Sequence, residues 1–191
     1  VITAYSFSNC PKLKSIEIPS SVKTIAQYSF YNSGLESIVI PASVTTIGQS
    51  TFANCANLAS VSIYSMLETI APRTFAGCTS LTTIELPDTV KTIEVSAFEG
   101  SGLEYFESSS VSSFGNNAFK DCTLLETVSV TSSELSELSS NMFEGCVLLS
   151  TVTLSESLTK IGSEAFKGCS ALESITIPSS VISIYDSAFS E

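Results

Sequence analysis

The six cysteines carry the most reactive side chains in this 191-residue sequence, which contains no histidine. Without histidine, neither a Ser-His-Asp triad nor a Cys-His pair can form. Zinc sites usually need closely spaced Cys or His ligands, and the sequence has no CxxC pair. We therefore predict no catalytic residues, no metal and no cofactor. The cysteines lie at Cys10, Cys55, Cys78, Cys122, Cys146 and Cys169.

Carboxylates are the remaining candidates for catalysis. Glu85, Glu104 and Glu107 fall on neighbouring predicted strands and could form an acidic cluster. Glu is, however, an ordinary residue on an exposed strand, and an excess of acids favours solubility. We interpret these residues as surface groups and predict that the protein is not an enzyme.

The charge balance excludes two classes of partner. The chain has 8 basic and 19 acidic residues, a net charge of −11, and its bases are scattered. Nucleic acids and anionic membrane surfaces are both bound mainly by clustered Lys and Arg. No apolar run approaches the ~20 residues that span a bilayer. We therefore predict no nucleic-acid partner and no membrane insertion by this segment.

A repeat organises the whole chain. Nine of the eleven Phe recur at intervals of 21–24 residues, and an apolar residue precedes each by five positions. Such short repeats cannot bury their apolar side chains alone, but stacked coils can. The nine residues are Phe7, Phe30, Phe52, Phe75, Phe98, Phe119, Phe143, Phe166 and Phe189.

A second series predicts one strand in each coil. Eight leucines each open a Leu-x-x-apolar stretch, such as LESIVI or LTTIEL, with the alternation of a half-buried strand. Pro follows four of these stretches and should end the ladder there. A V-x-x-I segment then predicts a second short strand, and the Phe turn a brief 3₁₀ or helical turn. We number coils 1–8 by these leucines: Leu13, Leu35, Leu58, Leu81, Leu103, Leu125, Leu149 and Leu172.

All six cysteines lie three residues after one of these Phe. Ser33-Gly34 and Ser101-Gly102 replace them in two coils, where we expect Gly to adopt a positive φ in a tighter corner. A ladder of buried free thiols suits these positions better than disulfides, because equivalent side chains on stacked coils point the same way. Disulfides and a metal site remain the less favoured alternatives.

The pattern LxxIxIPxSVxxIxxxAFxxCxxL resembles the BspA-like leucine-rich repeats of bacterial and protist surface proteins. Coils 172–189 and 81–101 match it best, and the coil from Leu103 departs most. The resemblance implies a β-rich, right-handed solenoid with a parallel β-sheet on its concave face. It predicts one domain over 1–191, of about eight coils of 22–24 residues, truncated at both ends. Open ends would favour end-to-end or edge self-association.

The concave face is the expected binding surface, formed by the third and fifth residues of each strand stretch. Most are Ser or Thr, but coil 5 places Tyr105 near Glu85 and Glu107. Tyr is a common binding anchor, so these three residues are the candidate ligand site. The simpler interpretation, which the sequence favours, is a coil that has drifted while its neighbours hold the stack.

The resemblance also implies a function. We expect a protein-binding module of a cell-surface or secreted protein, adhering to host cells, matrix proteins or other cells, with signal and anchor outside this segment. The alternative is a structural spacer or a self-associating array without a specific ligand.

Overall fold

The chain forms a parallel β-solenoid without helices. A computed structural model describes all residues from Val1 to Glu191. Each of the eight coils contributes a two-residue strand, and these pair in parallel as β1–β3, β5–β6–β8 and β10–β12–β13. This confirms the second strand predicted from the V-x-x-I segments. The short strands are β1 (Thr24–Ile25), β3 (Thr46–Ile47), β5 (Thr69–Ile70), β6 (Thr92–Ile93), β8 (Ser113–Phe114), β10 (Glu137–Leu138), β12 (Lys160–Ile161) and β13 (Ser183–Ile184).

The repeating Phe form one continuous stack through the core. Consecutive rings lie 5.1–5.6 Å apart between centroids and within 22° of parallel. The six rings from Phe30 to Phe143 are wholly buried, within a single cluster of 44 buried residues. The predicted stacking of each Phe on its equivalent is therefore confirmed.

The longer strands form in only five of the eight predicted places. They are β2 (Ser37–Ile40), β4 (Ser60–Ile63), β7 (Tyr105–Ser108), β9 (Thr127–Val130) and β11 (Thr151–Leu154). They pair as two separate parallel sheets, β2–β4 and β7–β9–β11. We call the side of the solenoid that carries them the long-strand face. The equivalent segments of coils 1, 4 and 8 (15–18, 83–86 and 174–177) make no backbone hydrogen bonds. The predicted long strand is therefore present in five of the eight coils, and the parallel sheet on this face is divided in two.

Proline explains most of these interruptions. Pairing is absent wherever the later coil has Pro after its stretch, at Pro41, Pro87 and Pro178. At two of the three paired junctions the residue at this position donates its N–H to the preceding coil: Tyr64 to the Ile40 carbonyl at 2.9 Å and Thr131 to the Ser108 carbonyl at 3.1 Å. Proline has no N–H, so this bond cannot form. The junction of coils 4 and 5 is also unpaired, although Ser109 stands at the equivalent place.

The Phe turns are neither 3₁₀ nor helical, which corrects a second prediction. Alternate N–H groups point to the next coil: Phe30 donates to the Thr51 carbonyl at 3.0 Å, whereas Tyr31 bonds within its own turn to Tyr28. The residues two before and two after each Phe from Phe7 to Phe166 have positive φ, for example Tyr28 at 56° and Asn32 at 52°. A right-handed helix cannot continue through such residues.

The position two residues after the Phe is chemically restricted. It holds only Asn, Asp or Gly, the residue types that enter the left-handed region most readily. The eight residues are Asn9, Asn32, Asn54, Gly77, Gly100, Asp121, Gly145 and Gly168. This preference holds every coil to the same turn and is a signal that the repeat analysis overlooked.

Gly34 and Gly102 do not have positive φ, contrary to the sequence-based expectation. They are required because the preceding coil approaches closely. A Cβ atom at Gly34 would lie 2.0 Å from the Pro11 carbonyl oxygen, and one at Gly102 would lie 2.1 Å from that of Thr79. The shorter corner therefore depends on an absent side chain rather than on a left-handed backbone.

Candidate functional site

A groove on the long-strand face brings the three predicted site residues together. Its volume is about 510 Å³, and Glu85, Tyr105 and Glu107 all contribute to its wall. It follows the junction of coils 4 and 5, where the long strands do not pair. A second groove of about 280 Å³ lies on the other side of coil 4, between Ser60–Tyr64 and Thr83–Glu85. The two grooves of this face therefore lie where the sheet is interrupted.

The alternation of β7 directs its side chains. Phe106 points into the core and is 2% exposed, whereas Tyr105 on the opposite side is 44% exposed. Glu107 lies on the same outward side as Tyr105, and β7 is held from the other edge by β9. Glu85 is also exposed, on the unpaired segment of coil 4. The outward direction predicted for these positions is confirmed.

The groove is acidic. Glu85, Asp88 and Glu107 line it, and no Lys or Arg does. Glu104, which the sequence also placed near this cluster, is not part of the wall. An aromatic ring between carboxylates suits a basic or hydrogen-bond-donating group of a partner, since a cation is attracted both by the charges and by the ring face.

Coil 5 is well ordered despite its departure from the repeat pattern. It forms the full strand β7, while the better-matching stretches LTTIEL and LESITI form none. Phe106 and Phe114 replace the usual aliphatic residues and contact the Phe stack, with ring centroids 4.6 and 6.1 Å from Phe119. The extra aromatic volume compensates for the unusual sequence and fixes the strand that carries Tyr105.

Sequence reasoning missed the groove residues that lie beyond the strand positions. Asp88, Ser110 and Thr131 come from the segments that follow the stretches, where the alternation no longer predicts direction. Pro87 signals only the second groove, because it removes the N–H that would bond to coil 3. The junction of coils 4 and 5, which the acidic groove follows, carries Ser109 and has no such signal.

The cysteines form a ladder of thiols hydrogen-bonded between coils. Cys55 Sγ lies 3.0 Å from the carbonyl oxygen of Phe30 in the preceding coil. Each of the next four cysteines makes the same contact with the Phe of the coil before it, at 3.0–3.2 Å. Cys10 and Cys169 are partly exposed, and the other four are buried. Ser33 and Ser101 extend the ladder, each lying 3.3 Å from the next Cys Sγ. The predicted ladder of buried free thiols is confirmed for the four inner cysteines.

Burial suppresses the acidity of these thiols. Loss of solvation raises the pKa of Cys122 to about 11 and that of Cys169 to about 12. The pKa values of Cys55, Cys78 and Cys146 are raised for the same principal reason. The thiolate is the nucleophile and the metal-binding form of cysteine, so these side chains are structural donors at neutral pH.

Alkaline pH should destabilise the fold through Cys122. In the unfolded chain this thiol ionises from pH 9, whereas in the folded protein it stays protonated until about pH 11. Stability is therefore complete below pH 9 and is lost as pH rises towards 11. Relative to Cys122→Ala, the wild-type free energy of unfolding should fall by about 2 kcal/mol between pH 8 and 11. Urea unfolding of both proteins measures this, and because their tyrosines are identical, parallel pH profiles would contradict it.

The chain is a leucine-rich repeat protein, as its fold and its repeat show. The family described as the BspA type leucine rich repeat region matches residues 1–126 and 105–191, with six copies. The chain therefore belongs to this family. Comparison of the sequence with curated proteins gives no match. The structure contains no helix that could span a bilayer.

Solved structures of bacterial leucine-rich repeat proteins share the fold. A leucine-rich repeat protein of T. pallidum, TpLRR, is 32% identical with a TM-score of 0.73, over 79% of this chain and 72% of that protein. A leucine-rich repeat protein from Bacteroides ovatus is 27% identical with a TM-score of 0.63, over 100% of this chain and 65% of that protein. The pneumococcal vaccine antigen PcpA, 21% identical with a TM-score of 0.57 over 85% and 50% of the two chains, shares the fold alone.

Proposed function

We propose that residues 1–191 act as one non-enzymatic binding module of a cell-surface or secreted protein. Its role is adhesion to a protein partner on host cells, in the extracellular matrix or on other cells. The acidic groove around Glu85, Tyr105 and Glu107 is the binding site. The observation that carries this proposal is the convergence of the three residues at the point where the sheet is interrupted.

Family and chemistry both support the proposal. Leucine-rich repeats commonly mediate protein interactions, and BspA-like repeats occur in surface proteins. The groove offers one rigid aromatic side chain among carboxylates, so the complementary partner surface presents Lys or Arg. Fold alone does not define a function, because function depends on the residues of a particular site.

Saturable binding distinguishes a binding module from a spacer. The purified chain is titrated onto intact epithelial cells and onto a panel of immobilised matrix proteins, with added salt as a second variable. We expect saturable binding to at least one surface that weakens as salt rises, because the groove is acidic. Absence of binding at every surface would support the structural spacer instead.

The Tyr105→Ala variant tests the site. Loss of a central aromatic anchor should weaken binding at least tenfold, equivalent to about 1.4 kcal/mol. Tyr185→Ala is the matched control, because Tyr185 is similarly exposed, at 49% against 44%, but lies outside the groove. Binding to the same immobilised partner is measured by surface plasmon resonance. Equal affinities for the wild type and Tyr105→Ala would remove the groove from the proposal.

A further inference from the structure

The second groove on the long-strand face shares a wall with the acidic groove. Ile84 and Glu85 of coil 4 line both grooves, and Tyr64 of coil 3 lines the second. Tyr64 is 69% exposed and Tyr105 is 44% exposed. Both belong to interior coils, 3 and 5, so their exposure does not depend on the ends of the chain. The two grooves therefore form one surface with a tyrosine on each side of coil 4.

The repeat places Tyr64, Glu85 and Tyr105 on one diagonal line across this face. They are the seventh, fifth and third residues of the strand stretches of coils 3, 4 and 5. The odd positions of these stretches point outward, as the alternation of β4 and β7 shows. Each step along the line crosses one coil, ~4.8 Å, and two residues, ~6.6 Å. Successive Cα atoms on the line therefore lie ~8 Å apart, and those of the two tyrosines ~16 Å apart.

The fold does not require an aromatic ring at Tyr64. The bond from its N–H to the Ile40 carbonyl is made equally by Thr131, which donates to the Ser108 carbonyl with a small side chain. Pro, Ser or Thr stands at this position in the seven other coils. Because the side chain is mostly exposed, it adds little buried apolar area to the core. The ring of Tyr64 is therefore available to a partner.

The carboxylates between the two tyrosines are not neutralised within the chain. Glu85, Asp88 and Glu107 form no ion pair, and neither groove is lined by Lys or Arg. Glu85 and Glu107 occupy the same position in adjacent coils. A guanidinium group suits such a pair, because its fixed fork of N–H donors can bond to more than one carboxylate oxygen. The surface therefore fits one cation flanked by two apolar groups.

We infer that the two grooves together bind one extended segment of the protein partner, in which an Arg lies between two apolar residues. The Arg pairs with Glu85 and Glu107, and the apolar residues pack on the rings of Tyr64 and Tyr105. In an extended peptide every second side chain points the same way, at steps of ~6.6 Å, close to the ~8 Å steps of the diagonal line. Residues i, i+2 and i+4 of the segment therefore match its three members. This inference rests on the proposed function and gives the chemistry of the partner.

An array of immobilised peptides tests the inference on the full chain. Each peptide carries the core apolar-Ser-Arg-Ser-apolar, in which the apolar residue is Leu, Ile or Phe. We expect saturable binding to at least one of them, about fivefold weaker when Ser replaces either apolar residue and lost when Glu replaces the Arg. Binding to no peptide, or no effect of these replacements, would overturn the inference. The titration on cells and matrix proteins tests the proposed function separately, so saturable binding there would leave that function standing.

Tyr64→Thr introduces the residue that coil 6 uses at this position, so it should keep the wild-type melting temperature. It should weaken binding of the best peptide about fivefold, as Tyr105→Ala should. Met66→Ser is the matched control and should bind as the wild type does, because Met66 is 74% exposed in the same coil but lines neither groove. If Tyr105→Ala weakens binding and Tyr64→Thr does not, the acidic groove binds alone and the inference is wrong. The peptide replacements decide the question if Tyr64→Thr does not fold.

Discussion

Phe119→Ala should destabilise the protein by about 3–5 kcal/mol, the usual cost of removing a fully buried aromatic ring. Phe119 is wholly buried between Phe98 and Phe143, with centroids 5.3 and 5.5 Å away, and it also contacts Phe106 and Phe114. Its removal opens a cavity where the Phe stack meets the rings of Phe106 and Phe114. Urea unfolding followed by circular dichroism measures the loss.

Phe189→Ala is the control for this substitution. Phe189 is the same residue in the same repeat position, but it is 40% exposed and stacks on Phe166 alone. We expect a loss well below half that of Phe119→Ala. Similar losses at the two positions would mean that the Phe stack is not the main source of stability.

Gly102→Ala should cost about 3 kcal/mol, at the upper end of overpacking effects. The new Cβ would lie 2.1 Å from the Thr79 carbonyl oxygen, and the coils must separate to admit it. That separation also breaks the bond from the Gly102 N–H to the Cys78 carbonyl, 3.1 Å long. Thermal and urea unfolding of the variant measure the effect.

Gly100→Ala separates close approach from backbone conformation. Gly100 has a φ of 64°, but nothing lies within 4 Å of a Cβ added there. Its substitution should therefore cost only the ~1–2 kcal/mol of a left-handed alanine. If Gly100→Ala were the more damaging variant, positive φ rather than contact would control these corners.

The sequence predicts what depends on periodic burial. The Phe stack, the short strands, the thiol ladder and the outward direction of Tyr105 and Glu107 all follow from side chains that recur at one position in every coil. Stacking forces such side chains onto their equivalents, so the interval alone specifies the contact. This is why the fold and the core could be assigned from the residues.

Features that depend on backbone contacts between coils could not be predicted from this periodicity. Pro87 was expected to end a strand, but its missing N–H belongs to a bond between coils, so the segment of coil 4 stays unpaired with coil 3. The need for glycine at Gly34 and Gly102 was attributed to positive φ, because the sequence of one repeat contains no information on the distance between coils. The turns were assigned to 3₁₀ or helix since apolar spacing carries no information on the sign of φ.

The candidate site was only partly predictable. Tyr105 and its acidic neighbours stood out as exceptions on a Ser- and Thr-rich face, and the structure places them in one groove. The groove itself arises from missing strand pairing, which residue type at the strand positions does not reveal.

The unpaired segment of coil 4 has a mechanical consequence. On the long-strand face, β2–β4 and β7–β9–β11 are two plates joined through Thr83–Leu86, which makes no backbone hydrogen bond to either. The stacked Phe continue past this coil without a gap. The solenoid is therefore less stiff on this face at coil 4 than in the paired coils. Under a bending force it should deform first beside the acidic groove and change the width of that groove.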